Sequence, residues 1–221
     1  MNRQIHFVHH KNMSLLKQFS RKIQMENKEI TASVGEETVT IPPVKPSSYG
    51  EFDQLLGVTA TQLCNIIIDR SIKEDLPLNL MKLQRIMYLI ACLYQRRYRK
   101  ILYTERFQPW RYGPVLGTLN EFYCLKGKDI SVYSTNAKGE IVVPALDEMP
   151  ELKDVVDMIW TNAKGMTGVQ LSRLIAASGK NSAWERAMVD HRPFISNIDM
   201  AEDETYLDLF GLNGDGSKLT D

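Results

Sequence analysis

Cysteine is scarce and scattered in this chain of 221 residues. Cys64, Cys92 and Cys124 stand far apart, and no two share a C-x-x-C spacing. This excludes a disulfide framework and a cysteine zinc site, and it predicts buried free thiols in a reducing compartment. An excess of one charge is also missing. Lysine plus arginine and aspartate plus glutamate number 27 each, so no global field draws the chain to nucleic acid or membrane. Long apolar runs are absent as well. The most apolar segment, Ile86 to Tyr94, is far too short to span a bilayer, and Met1 to Lys11 holds no run of signal-peptide length. The expectation is a cytoplasmic protein with no membrane partner.

The chemistry-bearing patterns of enzymes are equally thin. Neither G-x-x-x-x-G-K-[ST] nor G-x-G-x-x-G occurs, and the acidic stretches Asp147-Glu148 and Asp199 to Glu204 lack the spacing of a calcium loop. His6, His9 and His10 have no carboxylate or cysteine nearby, and His191 alone cannot supply a zinc triad. Ser172 or Ser178 can be set beside His191 on paper, but no nucleophile motif surrounds either. We therefore expect no catalytic residue, no cofactor and no metal.

With 43% hydrophobic and 24% charged residues, the composition is that of an ordinary globular protein. At this length a substantial core forms without staples. Residues 1–50 read as an extension. Apolar residues at Leu15, Leu16, Phe19 and Ile23 predict a short amphipathic helix within Met13 to Met25. β-branched residues flanking Gly35-Glu36 predict a hairpin between Glu29 and Ile41, and the prolines at 42, 43 and 46 predict a linker over 42–50. The remainder predicts an α+β, predominantly helical domain over 57–210, followed by a flexible tail at 211–221. Thr59 or Thr61 caps a helix running to about Lys73. Asn79 caps a very apolar helix from Leu80 to about Arg99, which should be central and covered on most sides. Ile101 to Pro109 reads as a strand. Gly113-Pro114 reads as a turn opening a helix through Tyr123. Ile130 to Tyr133 and Glu140 to Val143 read as a second hairpin about Asn136 to Gly139. Helices starting at Pro150, after Thr167 and around Trp184 complete the pattern.

Three segments resemble the Panacea-domain antitoxins of bacteria and their phages, the family that includes the SocA type. Leu80-Met-Lys82-Leu83-Gln84-Arg85-Ile86-Met87-Tyr88 is similar to the helix that begins that domain's core. Phe107-Gln-Pro-Trp110-Arg111-Tyr112-Gly113-Pro114-Val115 matches its Trp-Lys/Arg-Tyr-Gly-Pro-Val signature. Leu171-Ser-Arg-Leu174 followed by Ser182-Ala-Trp184-Glu-Arg-Ala187 is similar to its Leu-Ser-x-Leu and Pro-Trp-x-x-Ala, with Ala183 where the family favours proline. The resemblance spans roughly residues 57–210. It implies an antitoxin that neutralises a toxin protein by direct contact. It leaves as alternatives an adaptor that delivers the toxin to a cellular protease, a repressor bound to promoter DNA, or a phage protein that counters host defence.

Lys82, Gln84, Trp110, Arg111, Tyr112, Gly113, Pro114 and Trp184 are the candidate interface residues on this resemblance. The plain alternative is structural: Gly113 gives backbone freedom, and the aromatics pack on the Leu80 helix. Arg96, Arg97, Arg99 and Lys100 form a basic patch able to grip phosphate around Tyr98, or simply the solvated end of a helix. Thr167 to Val189 has helix–turn–helix character. Lys180, Asn181 and Arg186 are its few donors for DNA.

Overall fold

The unit from Glu51 to Asp221 is built around one helix, and its sequence explains why. Leu80–Tyr98 (α2) starts where the Asn79 side chain accepts from the Lys82 amide, and ends where Arg99 turns left-handed at φ 52°. Its 19 residues span about 28 Å. From Lys82 to Gln95 every side chain is buried, polar ones included. A helix apolar on most faces must be covered on most faces. Here the cover comes from Ala60–Lys73 (α1), Pro150–Ala163 (α4), Gly168–Ile175 (α5) and Asn197–Ala201 (α7).

This computed structural model describes residues 31–34, 37–40, 54–124, 129–177 and 181–219. The chain divides into two units at Gly50. In the first, Thr31–Val34 (β1) pairs antiparallel with Glu37–Thr40 (β2), with Val34 opposite Glu37 and Thr31 opposite Thr40. This is the register expected of a hairpin centred on Gly35-Glu36. The expected Met13–Met25 helix, the linker and His6, His9 and His10 lie outside the described residues.

The second unit is predominantly helical with a second small hairpin, an α+β arrangement. Thr59 caps α1 through a reciprocal box with Gln62. Pro150 opens α4, and Thr167 with Gln170 caps α5 in the same reciprocal way. Ser182 accepts from the Glu185 amide to start Ala183–Val189 (α6).

Four local expectations are corrected. Residues 102–107 form no strand; Ile101 makes one bridge to Leu55, and only Gln108–Trp110 (β3) is paired. Leu102, Tyr103 and Phe107 instead point into the core, where aromatic content serves packing rather than a ladder. Pro114 opens no helix. Gly113–Val115 is a strand (β4), and the next helix, Gly117–Tyr123 (α3), begins three residues later. Residues 130–143 contain no strand. The two limbs meet at Asn136, whose amide donates to the Glu140 carbonyl (2.9 Å). Asn65 of α1 then takes the place of a ladder: its Nδ2 donates to the carbonyls of Ser134 and Val142 (2.9 and 3.0 Å), and its Oδ1 accepts from the Ser134 amide (2.8 Å). Residues 211–219 are folded where composition suggests fraying. Leu212 bridges Lys218, and the turn packs against α2, where a Cβ on Gly216 would sit 2.8 Å from Leu93 Cδ1.

Among the thiols, Cys64 and Cys92 are buried, as expected, and burial pushes the Cys64 thiol up to about 12. Cys124 is exposed at the end of α3, against expectation, because the helix stops there and the side chain faces outward.

Candidate functional site

The Trp110–Val115 motif forms a two-residue hairpin turn, not a loop entering a helix. Trp110 pairs with Gly113, Pro109 with Pro114 and Gln108 with Val115. In such a ladder directly opposed residues alternate between hydrogen-bonded and non-bonded pairs. Pro109 and Pro114 share one non-bonded pair, so neither missing N–H costs a ladder bond. Arg111 and Tyr112 form the tip, with the Arg111 guanidinium 5.4 Å from the Tyr112 ring centroid.

α2 pins this hairpin from beneath through two buried side chains. The Gln84 amide clasps Leu116 reciprocally: Nε2 donates to its carbonyl (3.1 Å) while Oε1 accepts from its amide (2.9 Å). Arg85 donates from Nη2 to the Tyr112 carbonyl, from Nη1 to the Pro114 carbonyl, and from Nε to Ser172 Oγ of α5 (2.9 Å). Gly113 is obligatory for this contact. Its φ is +122°, and a Cβ there would lie 2.5 Å from Arg85 Nε. Arg85 is 3% exposed, and burial lowers its guanidinium to about 10.

From the opposite side, Trp184 of α6 donates from Nε1 to the Trp110 carbonyl (2.9 Å). The Trp110 ring is thereby left to face outward, its own Nε1 donating to Gln108 Oε1 (2.7 Å). Trp110 is 46% exposed and Tyr112 68%. With Leu80, Met81 and Val115 they wall a groove of about 460 Å³, with Arg85 and Arg111 among its lining.

The candidate interface residues therefore divide by role. Gln84, Trp110, Arg111, Tyr112 and Gly113 line the groove, while Pro114 and Trp184 support it. Lys82 belongs elsewhere: buried on α2, it donates to the carbonyls of Lys164 (2.6 Å) and Pro77 (3.3 Å), and desolvation lowers its ammonium.

The basic patch is mostly spent on structure. Arg96 donates to the carbonyls of Gly214 and Asp203, and Arg97 donates to the Gly216 carbonyl and pairs with Asp154. Lys100 pairs with Glu151 at 2.8 Å, and Arg99 alone stands exposed at the helix end. The helix–turn–helix donors are similarly engaged. Asn181 Nδ2 donates to the Glu202 carbonyl (2.8 Å), and Arg186 pairs with Asp199 (3.0 Å). Gly179 and Lys180 fall outside the described residues. Ser172 Oγ is occupied by Arg85, and His191 sits in an exposed turn at φ 52°. No group of acidic, histidine or cysteine side chains among the described residues is placed to hold a metal ion, and none of the described helices is long and apolar enough to cross a membrane.

One buried group was not singled out by its residue type. Asp203 is fully enclosed and accepts from Tyr88 OH (2.8 Å), Thr205 Oγ1 (2.6 Å) and the amides of Ala183 and Thr205 (3.0 Å each). Burial nonetheless holds its carboxyl above the usual range, the four donors offsetting only part of the desolvation. The same carboxylate ties α2, the start of α6 and the C-terminal segment together. Its only signal in sequence is a place in an acidic run beside Thr205 and Tyr206.

Compared with protein-family models, curated proteins and solved structures, the chain matches none.

Proposed function

We propose that this chain is an antitoxin that works in the cytoplasm, neutralising a toxin protein by direct binding through the β3–β4 hairpin and the start of α2. The supporting observation is a pair of exposed aromatic rings, Trp110 and Tyr112, on a backbone held rigid by Gln84, Arg85 and Trp184. Tryptophan, tyrosine and arginine dominate the energetics of protein interfaces. A site already ordered in the free protein loses little further freedom on binding. A protein-binding role also requires no bond to be made or broken. The resemblance of three segments to the Panacea domain supplies the kind of partner, a toxin.

The test is to express the reading frames that flank this gene, to co-express with this chain any that is toxic alone, and then to reconstitute the pair from purified proteins. Neutralisation that persists with the two purified components supports direct binding. Neutralisation seen only in cells, with the toxin disappearing faster, supports protease delivery instead. In the first case Trp110→Ala should weaken the complex by about 2 kcal/mol or more, roughly thirtyfold in Kd.

A further inference from the structure

The groove beneath the hairpin carries an unusual charge pattern. Two of its lining residues, Arg85 and Arg111, are cationic, and none is acidic. Arg85 is buried, yet the partners holding it are two carbonyl oxygens and one hydroxyl, all neutral. Elsewhere in the second unit several partly buried guanidinium groups meet carboxylates, Arg97 with Asp154 and both Arg186 and Arg192 with Asp199, whereas Arg96 meets backbone carbonyls. A cation desolvated without a counter-charge is a standing cost that an incoming carboxylate would relieve. The three donor contacts, with Gly113 flat against the guanidinium, fix its position. The amide of Gln84 is fully used on Leu116, which leaves the arginines as the groove's principal ligand-facing charge. Around them the walls are mostly apolar, Leu80, Met81, Val115 and the two exposed aromatic rings, with Asn120 a neutral polar neighbour.

We infer that this groove seats an acidic-apolar segment of the partner protein, an aromatic or long aliphatic side chain lying between Met81 and Trp110 with an adjacent Asp or Glu carboxylate directed to Arg85 and Arg111. The inference rests on the proposed protein-binding function and names the chemistry of the segment bound. A volume of about 460 Å³ accommodates one large side chain and its acidic neighbour. Charge complementarity selects the segment, and the apolar walls hold it.

The experiment uses the full chain, ¹⁵N-labelled, titrated with acetyl-Phe-Glu-Leu-amide and with acetyl-Phe-Gln-Leu-amide. Trp110 Nε1–H and the Gly113 amide serve as reporters. The expected result is saturable shifts at both reporters with the Glu peptide, at least tenfold weaker binding of the Gln peptide, and loss of that difference as salt rises. Met81→Glu, on an exposed wall of the groove, places a carboxylate beside the arginines; it should abolish the preference for the Glu peptide while leaving the melting temperature in place. Equal affinity for the two peptides, or no saturable shift up to about 10 mM, overturns the inference. So does equally tight binding of 3-phenylpropionate, which would make this a small-molecule site. Neutralisation of the toxin in the same preparations separates the two failures. Peptide failure with intact neutralisation removes the groove chemistry alone, whereas peptide binding without neutralisation removes the antitoxin function.

Discussion

Gly113 and Asp203 show how much single residues decide in this protein. Gly113→Ala adds a methyl group 2.5 Å from Arg85 Nε at a backbone angle of +122° that side chains rarely adopt. It should cost about 2–3 kcal/mol in urea unfolding, and the Trp110 indole resonance should move with it. Asp203→Ala strips a partner from two amides and two hydroxyls in the core, so a loss of about 3 kcal/mol or more is expected. Ala183 is linked to the same carboxylate. It occupies the first helical position, where proline is usually tolerated, but its N–H donates to Asp203. Ala183→Pro should therefore destabilise by about 1–2 kcal/mol, the worth of a hydrogen bond to a charged group less the gain in stiffness. This gives a physical reason for alanine here, where the resembled family favours proline.

Two carboxylates should also respond oppositely to acid. Burial raises the Asp203 pKa, so the folded state binds a proton more readily than the unfolded chain, and this group favours folding increasingly as pH falls. Burial also acts on Asp199, but Ser196, Arg192 and Arg186 more than reverse it and hold that carboxyl down. Its contribution is complete above the unfolded value of about 3.9 and disappears as pH falls through the folded one. Unfolding free energies of Asp203→Asn and Asp199→Asn, measured against the parent from pH 7 to pH 3, should diverge from it with opposite slopes.

At the scale of elements, helices were legible and short pairings were not. Asn79, Thr59 and Thr167 mark helix starts because capping is a local event between residues three apart, and Pro150 marks another because its fixed φ suits the first helical position. The covered state of α2 was equally readable from its composition. The hairpin at 108–115 was not, since its prolines act as helix openers in most sequences. Only the cross-strand register, placing Pro109 opposite Pro114, makes them compatible with strands. The limbs at 130–143 misled for a related reason: alternating β-branched residues signal extended chain, whereas the partner here is a side chain 69 residues away, Asn65. Asn65→Leu should release that loop. Trypsin cleavage at Lys138 would accelerate severalfold while the helical circular-dichroism signal stays unchanged.

The polar residues of the α2 motif were legible as a signature but not as clasps. Lys82 holds the end of α4, Gln84 and Arg85 hold the β3–β4 hairpin, and Arg96 and Arg97, further along the helix, hold the 211–219 turn. No local pattern announces which carbonyl a buried side chain will meet, because the carbonyl belongs to another part of the chain.

At the scale of the molecule, many charges among the described residues are met by internal ties, and the described cations that suggested DNA contact are largely committed to the protein's own backbone and carboxylates. Reversing Arg96 and Arg97 to glutamate should therefore loosen the 211–219 turn and lower the melting temperature by several degrees. Among the described residues, the hairpin and its groove leave the Trp110 and Tyr112 rings exposed. The most direct test of the proposed function is the affinity of the proposed toxin partner, purified, for the full chain and for a Trp110→Ala/Tyr112→Ala variant, measured by calorimetry beside a melting curve. The account predicts a loss of thirtyfold or more at unchanged melting temperature. An affinity that survives both substitutions in a folded variant would contradict it.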